Sequence, residues 1–396
     1  MLLFALIIVF KCYVKIRYKF WSYQPVFYYH NLLYWIYPKG VIDTAISQSV
    51  PNKFCNFINI VTKEFAEYDA NDINKIVEFI AENYSTSFAS SLTSYFSGVN
   101  NKTFISLYYK SNMVLRRCHT LEKREGVNEE MTFVSEQQIA AIMTTRSVNI
   151  TLKDTPSFPA YYVDCLCVKK QDIAPETIQT HLYNVYHNDK TRKKPIMVSL
   201  FKRDGDGIIA GIVPLTAYNT YQFEISGLLP NRRASLCASM PVIEITKLNI
   251  QLLTSFICDQ TTKFHCFVLP DLGNLLSLIN NKIYMIYGII ENHELIAAYF
   301  FKKGEKSIDF IGSINNTNDA DDVEVFIIGF NMALRKAIRR EKTIKLLTIE
   351  NIADNNRIVN NLFLLNIVPR FTNQTAYFYC NYAKRPIAPE LALLIL

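Results

Sequence analysis

The stretch Tyr18-Lys19-Phe20-Trp21-Ser22-Tyr23-Gln24-Pro25-Val26 places four aromatic residues ahead of a Gln-Pro pair near the start of the chain. A second segment, Leu166-Cys167-Val168-Lys169-Lys170, is closely followed by Ile173-Ala174-Pro175. A third, Leu391-Ala392-Leu393-Leu394-Ile395-Leu396, is wholly apolar. Each segment alone has an ordinary explanation, because aromatic pairs and apolar runs usually belong to a hydrophobic core. Their order along one chain is the informative feature.

Taken in this order, the three segments resemble those of eukaryotic-type N-myristoyltransferases, which move a tetradecanoyl group from coenzyme A to an N-terminal glycine. The first is similar to that family's acyl-CoA clamp, the second to its catalytic strand and the third to its catalytic C-terminus. The resemblance implies an α/β fold of two tandem acetyltransferase-like (GNAT) halves, related by a pseudo-twofold axis and sharing a saddle-shaped mixed sheet. It also implies that residues 1–235 bind acyl-CoA, and that residues 236–396 bind the peptide and supply the catalytic C-terminus.

The composition indicates a compact protein. The 396 residues exceed the usual size of a single core, so two domains are expected, with a boundary near residues 227–241. Half of the residues are apolar, which argues against a disordered chain. The formal charge of +7 suits an anionic ligand such as coenzyme A, and it equally suits an ordinary solvated surface. No basic stripe with interleaved aromatic residues occurs, so no nucleic-acid partner is expected.

Cysteine and histidine usage argues against a metal site. The nine cysteines are an odd number without a regular framework, as in a reducing compartment, and we predict a cytoplasmic protein. Cys165 and Cys167 are separated by one residue, which is not a zinc-ligand spacing, and no His-Glu-x-x-His motif occurs. We therefore expect no metal site. The resemblance implies that myristoyl-CoA is a co-substrate and that no cofactor is bound, and we expect a monomer.

Residues 1–10 are all apolar and are followed by Lys11, Lys15, Arg17 and Lys19. Ten helical residues rise about 15 Å, which is half of the hydrocarbon core of a bilayer. A signal peptide would carry its charge ahead of the apolar run. We predict that residues 1–10 form a buried strand. A peripheral membrane contact through the same residues is the alternative.

Hydrophobic periodicity predicts that strands and helices alternate in the first half. Asn71 or Asp72 begins a predicted helix with its apolar residues on one face. A second predicted helix begins at Ala174-Pro175, because proline suits the first helical turn. Predicted strands cover residues 103–109, 113–117, 139–150 and 161–168.

The second half repeats these element types. Residues 284–290 and 295–301 alternate in polarity around a turn, which predicts a hairpin. Residues 323–338 form a predicted amphipathic helix that ends at the cations Arg339 and Arg340. The remaining predicted elements are a strand at 345–349, a helix at 354–364 and a strand at 376–382.

The resemblance implies an acyl-CoA-binding role for two groups of residues. The first group is the aromatic clamp. The second is the end of the central strand together with the start of the following helix, whose N-terminus can receive a pyrophosphate. The clamp residues are Tyr18, Lys19, Phe20 and Trp21, and the second group is Cys167, Val168, Ile173, Ala174 and Pro175.

The resemblance also implies the catalytic groups. The backbone N–H groups of Cys165 and Leu166 match donors that hold the oxyanion of the tetrahedral intermediate, and losing one such donor costs roughly 3–4 kcal/mol of barrier. The terminal carboxylate of Leu396 matches the base that takes a proton from the glycine ammonium. That transfer is uphill by roughly 6 kcal/mol in water. Burial of the carboxylate among apolar neighbours is expected to raise its pKa and narrow the gap.

Two departures from the family pattern concern the ligands. The basic loop of the family is reduced here to Lys170-Gln171-Asp172, so fewer donors are expected for the phosphates, and Lys169 and Lys170 are the cations that could substitute. After Glu82-Asn83-Tyr84 the chain has Ser85-Thr86-Ser87-Phe88, without the acidic loop of the family. The preferred peptide is therefore expected to differ.

Three functions remain open from the sequence. The first is transfer of a myristoyl group to an N-terminal glycine. The second is transfer of an acyl group of another length, or to another acceptor. The third is a catalytically weak or silent protein that binds acyl-CoA or N-terminal glycine peptides, and the shortened loop favours this third function.

Overall fold

The computed structural model describes the backbone at residues 2–99, 102–120, 128–188, 195–205, 209, 211–228, 241–316, 320–339 and 343–396. It describes the side chains of the same residues except 2–7, 10, 11, 112–120, 128–136 and 320–322.

The helices are Leu2–Tyr18 (α1), Leu32–Ile36 (α2), Ala70–Asn83 (α3), Thr86–Phe96 (α4), Ala174–Asn188 (α5), Ile225–Leu228 (α6), Ile250–Asp259 (α7), Leu272–Asn280 (α8), Ala320–Arg339 (α9) and Asn355–Leu364 (α10). The strands are Gly40–Val41 (β1), Ile60–Glu64 (β2), Phe104–Thr120 (β3), Asn128–Leu152 (β4), Thr155–Val168 (β5), Ser199–Asp204 (β6), Thr216–Glu224 (β7), Val242–Ile245 (β8), Cys266–Pro270 (β9), Tyr284–Glu291 (β10), Glu294–Lys303 (β11), Ser307–Asn315 (β12), Leu346–Glu350 (β13), Phe371–Cys380 (β14), Tyr382–Ala383 (β15) and Ala392–Leu394 (β16).

One mixed sheet of 14 described strands dominates the molecule. Its order is β16, β9, β4, β5, β6, β14, β7, β13, β12, β11, β10 and β8, while β3 and then β2 continue from a second stretch of β4. The remaining strands, β1 and β15, form a separate antiparallel pair.

The sheet repeats one pattern twice. β4 and β5 are antiparallel, and β5 runs parallel to β6 after a crossover through α5. In the second half β11 and β12 are antiparallel, and β12 runs parallel to β13 after a crossover through α9. Each parallel pair is extended by an antiparallel strand from the other half, since β14 lies beside β6 and β7 lies beside β13. The repetition agrees with the tandem α/β organisation expected from the sequence. The predicted division at residues 235 and 236 lies outside the described residues.

Most of the predicted elements are confirmed, with two changes of boundary. The strands predicted at 103–109 and 113–117 are one strand, β3, whose register shifts between Tyr108 and Tyr109. The first long helix, α3, begins earlier than predicted, because Asp69 is its N-cap and accepts a hydrogen bond from the backbone N–H of Asp72 at 2.7 Å. The predicted hairpin is β10–β11, and Asn292 and His293 in its turn have φ of 50° and 70°.

The buried strand predicted for residues 1–10 is wrong. Residues 2–10 lie in α1, and the described side chains of that helix are all partly or fully exposed. An apolar run cannot by itself distinguish strand from helix. Here no Gly or Pro interrupts residues 2–18, so the helix continues through the basic residues that follow the run. Among the described residues, no helix has both the length and the apolar character needed to cross a membrane.

A buried polar network fixes α5 against the sheet. His181 of α5 lies between the hydroxyls of Ser106 and Thr145, at 2.7 Å from Nδ1 and 2.9 Å from Nε2. Ser106 also contacts the hydroxyl of Thr62 at 2.6 Å. Burial lowers the pKa of His181 to about 3. The imidazole is therefore neutral at physiological pH.

We predict that His181 makes the fold sensitive to mild acid. An unfolded histidine titrates near pH 6.5, so between pH 6.5 and about 3 the unfolded chain binds a proton that the folded chain does not. Stability is therefore complete above pH 6.5 and falls by roughly 1.4 kcal/mol per pH unit below it. Urea unfolding at pH 7.5, 6.0 and 5.0 should show a loss of about 2 kcal/mol at pH 5.

The control is a comparison of two variants. His181→Gln removes the titrating group, and its stability should vary much less over this pH range. His187→Gln changes a partly exposed histidine of the same helix and should keep the wild-type slope. Equal slopes in wild type and His181→Gln would contradict the assignment.

Candidate active site

The central strand β5 bulges at Asp164. In the pairing with β4, Thr144 lies opposite Cys165 and Thr145 lies opposite Val163, so Asp164 is the extra residue. The bulge reverses the alternation of side chains. Before the bulge, the odd-numbered residue Val163 packs in the core beneath α5. After the bulge, the even-numbered residue Leu166 packs in that same core, and the odd-numbered residue Cys165 faces the core of α3 and α4.

The same bulge lies where β5 leaves its parallel neighbour. The register of β5 with β6 covers only Tyr161, Tyr162 and Val163. Cys165 and Leu166, whose backbone N–H groups the sequence singled out, lie beyond this last pair. A strand that parts from its neighbour leaves backbone donors facing the gap.

A buried ion pair holds the bulge. The Arg146 guanidinium is buried and its Nε donates to both carboxylate oxygens of Asp164, at 2.9 and 3.0 Å. Its Nη1 donates to Oδ1 of Asn274 at 2.8 Å. Burial raises the pKa of Asp164, and the guanidinium opposes that rise. The rings of Tyr95 and Tyr162 cover the guanidinium at 5.5 and 5.7 Å.

The aromatic clamp residues lie beside the gap. Trp21 stacks on Phe201 of β6, with ring centroids 5.8 Å apart, and it packs in the same core as Val163 and Leu166. Phe20 is buried against Trp21 and Phe54, at 5.1 and 5.2 Å. The structure therefore brings the first two segments of the sequence together.

The flanking residues of the clamp have structural roles. The ring of Tyr18 lies directly on Gly211, where a Cβ atom would be 2.5 Å from the ring, so only glycine fits. Lys19 has a φ of 38° and makes the turn that ends α1. Gln24 donates from Nε2 to Oε1 of Gln179 in α5 at 2.5 Å, which ties the clamp segment to that helix.

The thiols near the bulge are not nucleophiles. Burial raises the pKa of Cys165 well above its usual value, and burial also raises the pKa of Cys167. A thiolate is the reactive form of cysteine, so these thiols stay protonated and inert. Their backbone groups, and not their side chains, are available for chemistry.

The start of α5 is less basic than a phosphate site usually is. Gln171–Ile173 form a 3₁₀ turn that leads directly into Ala174 and Pro175. Asp172 and Glu176 flank this helix start, and Glu176 accepts a hydrogen bond from Nδ2 of Asn56 at 2.7 Å. Lys169 does not compensate, because its ammonium lies 5.3 Å from the ring of Phe79. Lys170 is exposed and is the remaining cation of the shortened loop.

The C-terminal segment enters the sheet beside β9. β16 pairs in parallel with β9, and the backbone N–H of Ile395 donates to the oxygen of Val268 at 3.0 Å. Gly312 of β12 permits this close packing, since a Cβ there would lie 2.9 Å from the side chains of Leu393 and Ile395. Leu393, Leu394, Ile395 and Leu396 are buried as expected, and Leu391 is partly buried.

Leu396 and Asp164, the bulge residue of β5, line one cavity of about 330 Å³. Nζ of Lys302 lies 3.4 Å from the main-chain oxygen of Leu396 and 5.1 Å from the ring of Tyr95. Lys202, which also lines the cavity, pairs with Glu350 at 2.9 Å. Burial lowers the pKa of this lysine, but Glu350, Tyr377 and Asp204 together raise it well above its usual value. The ionisable side chains of the cavity wall are Tyr84, Tyr95, Tyr162, Asp164, Lys202, Asp204, Lys302, Lys303, Glu305, Asp309, Glu350 and Tyr377.

Comparisons with known proteins find similar structures but no similar sequence. No family model and no curated protein matches the sequence of the chain. N-myristoyltransferase of Saccharomyces cerevisiae with bound myristoyl-CoA is similar in structure, with a TM-score of 0.66 over 98% of this chain and 99% of that chain. The chain has the N-myristoyltransferase fold. The sequence identity is 11%, and a further structure of the yeast enzyme, with myristoyl-CoA and inhibitors, gives a TM-score of 0.64 at 12% identity over 96% and 94% of the two chains.

The likeness to the yeast N-myristoyltransferase confirms two inferences from the sequence. The resemblance that the three segments indicated holds for the fold, despite the divergence of the chain. The mixed α/β architecture expected from the sequence also holds over nearly the whole chain.

Within the N-myristoyltransferase fold, three charged residues in or near the cavity were not singled out from the sequence. Arg146, Asp164 and Lys302 interrupt strands that are otherwise largely apolar. A charge inside a buried strand is rare and usually paired, so these interruptions were the available signal. The pattern could not show which charges meet, because Arg146 and Asp164 are 18 residues apart and Lys302 comes from the other half of the chain.

Proposed function

We propose that this protein transfers a myristoyl group from myristoyl-CoA to the N-terminal glycine of acceptor proteins. The observation that carries the proposal is that the bulge of β5 and the buried Leu396 line one cavity. The fold of a yeast enzyme that holds myristoyl-CoA supports it. The described cysteines are free, which supports a cytoplasmic location.

The reaction needs no covalent enzyme intermediate. The neutral glycine amine attacks the thioester carbonyl, a C–N bond forms, and the C–S bond breaks as coenzyme A leaves. The developing oxyanion needs donors that are already oriented. The backbone N–H groups of Cys165 and Leu166 are the proposed donors, since they lie beyond the last pairing of β5 with β6.

The amine must lose a proton before it attacks. We assign that proton to the carboxylate of Leu396, which the parallel pairing of β16 and the bond from Ile395 hold in place. Burial disfavours the charged carboxylate and so strengthens it as a base. The acids that share the cavity, Asp164, Asp204 and Asp309, would attract an incoming ammonium.

Two groups of residues are proposed to hold acyl-CoA. Phe20 and Trp21, with Tyr18 and Lys19 behind them, form the clamp at the gap between β5 and β6. Cys167, Val168, Ile173, Ala174 and Pro175 lead into the N-terminus of α5, where backbone donors can receive a phosphate.

A blocked C-terminus should abolish the reaction without preventing acyl-CoA binding. We expect a short tag after Leu396 to reduce acyl transfer to a Gly-initiated peptide by at least 100-fold, because it replaces the base with a neutral amide. A tag at the N-terminus is the matched control. Calorimetry should show nearly unchanged affinity for myristoyl-CoA. Transfer at the untagged rate by folded, C-terminally tagged protein would rule out the terminal carboxylate as the base.

Trp21→Ala should weaken myristoyl-CoA binding about tenfold or more, which is roughly 1.4 kcal/mol or more. The substitution removes the ring that stacks on Phe201 at the proposed binding gap. Trp35→Ala is the matched control, because Trp35 is the only other tryptophan and packs on Phe27, away from the gap. If both variants bind acyl-CoA like the wild type, the clamp assignment fails.

Lys302 should affect the ionisation of the proposed base, the carboxylate of Leu396. Its ammonium is next to Leu396, and a neighbouring cation favours the ionised form of a carboxylate. Lys302→Met should therefore move the acidic limb of the kcat/KM profile upward by about one pH unit, since the lost cation raises the pKa of the base. Lys302→Arg should restore the wild-type limb.

Lys303→Met is the matched control for this test, because Lys303 is the next residue of β11 and lines the same cavity. Its profile should coincide with that of the wild type. An unmoved limb in Lys302→Met would show that Lys302 does not act on the base.

A second candidate function is binding without efficient transfer. The acids at the start of α5 and the contact of the Lys169 ammonium with the ring of Phe79 favour this function, because both weaken a phosphate site. A single-turnover assay with radiolabelled myristoyl-CoA separates the two functions. Peptide binding together with no labelled product would favour the binding protein, and labelled peptide would favour the enzyme.

A further inference from the structure

The first 42 residues of the chain have an unusual charge. They contain five Lys and Arg residues and no Asp or Glu, so they carry five of the seven units of net positive charge. They also contain both tryptophans of the chain. Such a segment is attracted to negatively charged partners and repelled by positively charged ones.

Apolar side chains of this segment are exposed on α1. Of the described side chains of the helix, Ile8, Val9, Tyr13 and Ile16 are exposed, and Ile16 is 74% exposed. The cations Lys15 and Arg17 are exposed on the same helix. At 17 residues the helix is about 25 Å long and has no buried side chain among those described.

Helix α2 exposes a second apolar group. Leu32 and Leu33 are 71% and 75% exposed, and Ile36 and Tyr37 are exposed as well. Its other face is held on the fold, because Trp35 packs on Phe27 with ring centroids 5.1 Å apart. The outward leucines therefore belong to an anchored element.

The end of α1 and the segment that leads into α2 both contact Gly211. The ring of Tyr18, the last residue of α1, lies on Gly211, whose oxygen accepts a hydrogen bond from the backbone N–H of Tyr29 at 3.1 Å. Tyr29 is three residues before α2. Both helices are thus tied to the fold near Gly211, and their exposed apolar residues are named together the N-terminal apolar surface, defined by Ile8, Val9, Tyr13, Ile16, Leu32, Leu33, Ile36 and Tyr37.

We propose that the N-terminal apolar surface docks on a bilayer of anionic phospholipid. Exposed aliphatic side chains can enter the headgroup region, while lysine and arginine contact lipid phosphates. Tyrosine suits the boundary between the two regions. A protein partner is disfavoured, because charged residues are depleted at the centre of protein interfaces, whereas here cations alternate with the apolar residues.

The N-terminal apolar surface shares no residue with the candidate active site. Phe20 is buried, and the cavity at Leu396 is lined by residues that all lie after residue 83. The proposal is therefore independent of the acyl-transfer function, and each can fail without the other.

Cosedimentation of the full chain with vesicles tests the proposal. Vesicles of phosphatidylcholine with 30% phosphatidylserine should bind the protein, and pure phosphatidylcholine vesicles should bind it at least tenfold more weakly. The double variant Leu32→Ser/Leu33→Ser should lose at least tenfold in affinity for the anionic vesicles. Lys15→Glu/Arg17→Glu should lose as much, and its binding should no longer depend on salt.

A matched control is available on α10. Leu364 and Leu365 are 81% and 62% exposed, comparable to the α2 pair, and they lie outside the basic N-terminal segment. Leu364→Ser/Leu365→Ser should bind anionic vesicles like the wild type. Circular dichroism confirms that each variant is folded before it is compared.

Three results would overturn the proposal. The first is absence of binding to anionic vesicles. The second is equal loss of affinity in the α2 and α10 variants, which would indicate unspecific adhesion. The third is a wild-type dimer in light scattering that Leu32→Ser/Leu33→Ser converts to a monomer without vesicle binding, which would assign the surface to a second copy of the chain.

Discussion

The parting of β5 from β6 after Val163 is the constraint on which the site depends. Backbone groups of a buried strand need partners, so a strand that leaves its neighbour must be held by other contacts. The ion pair of Arg146 and Asp164 provides such contacts, because it holds Asp164, which the bulge leaves without a partner on β4. Removing one partner of a buried ion pair leaves an uncompensated charge and destabilises a protein by roughly 3–5 kcal/mol. The bulge is therefore a fixed feature of the fold.

The bulge also explains how three distant segments converge. Because it reverses the side-chain alternation of β5, one face presents Val163 and Leu166 to the clamp at Trp21. The other face presents Cys165 to the core that contains Leu393 and Ile395. The N-terminal and C-terminal segments therefore contact opposite faces of one strand. The sequence order of the three segments reflects this arrangement.

Local patterns predicted the elements but not the contacts between charges. Periodicity predicted the long helix α9, and turn residues predicted the hairpin of β10 and β11, because both signals are local. The apolar run at residues 1–10 misled, since hydrophobicity without periodicity fits a strand and a helix equally. Lys302 and Arg146 could not be assigned, because their partners are set by the sheet order. The resemblance supplied the roles of Cys165, Leu166 and Leu396, and the structure adds that the bulge lies with Leu396 at one cavity.

The position of β14 bears on how the chain is made. β14 lies between β6 and β7, β9 pairs with β4 and β16 pairs with β9, so strands from late in the chain complete the sheet of the first half. During translation, β6 and β7 have emerged from the ribosome long before Phe371 is added. Unpaired strand edges of this kind promote aggregation. The nascent chain thus exposes these edges until β14 and β16 have been made, and chaperone protection matters during that interval.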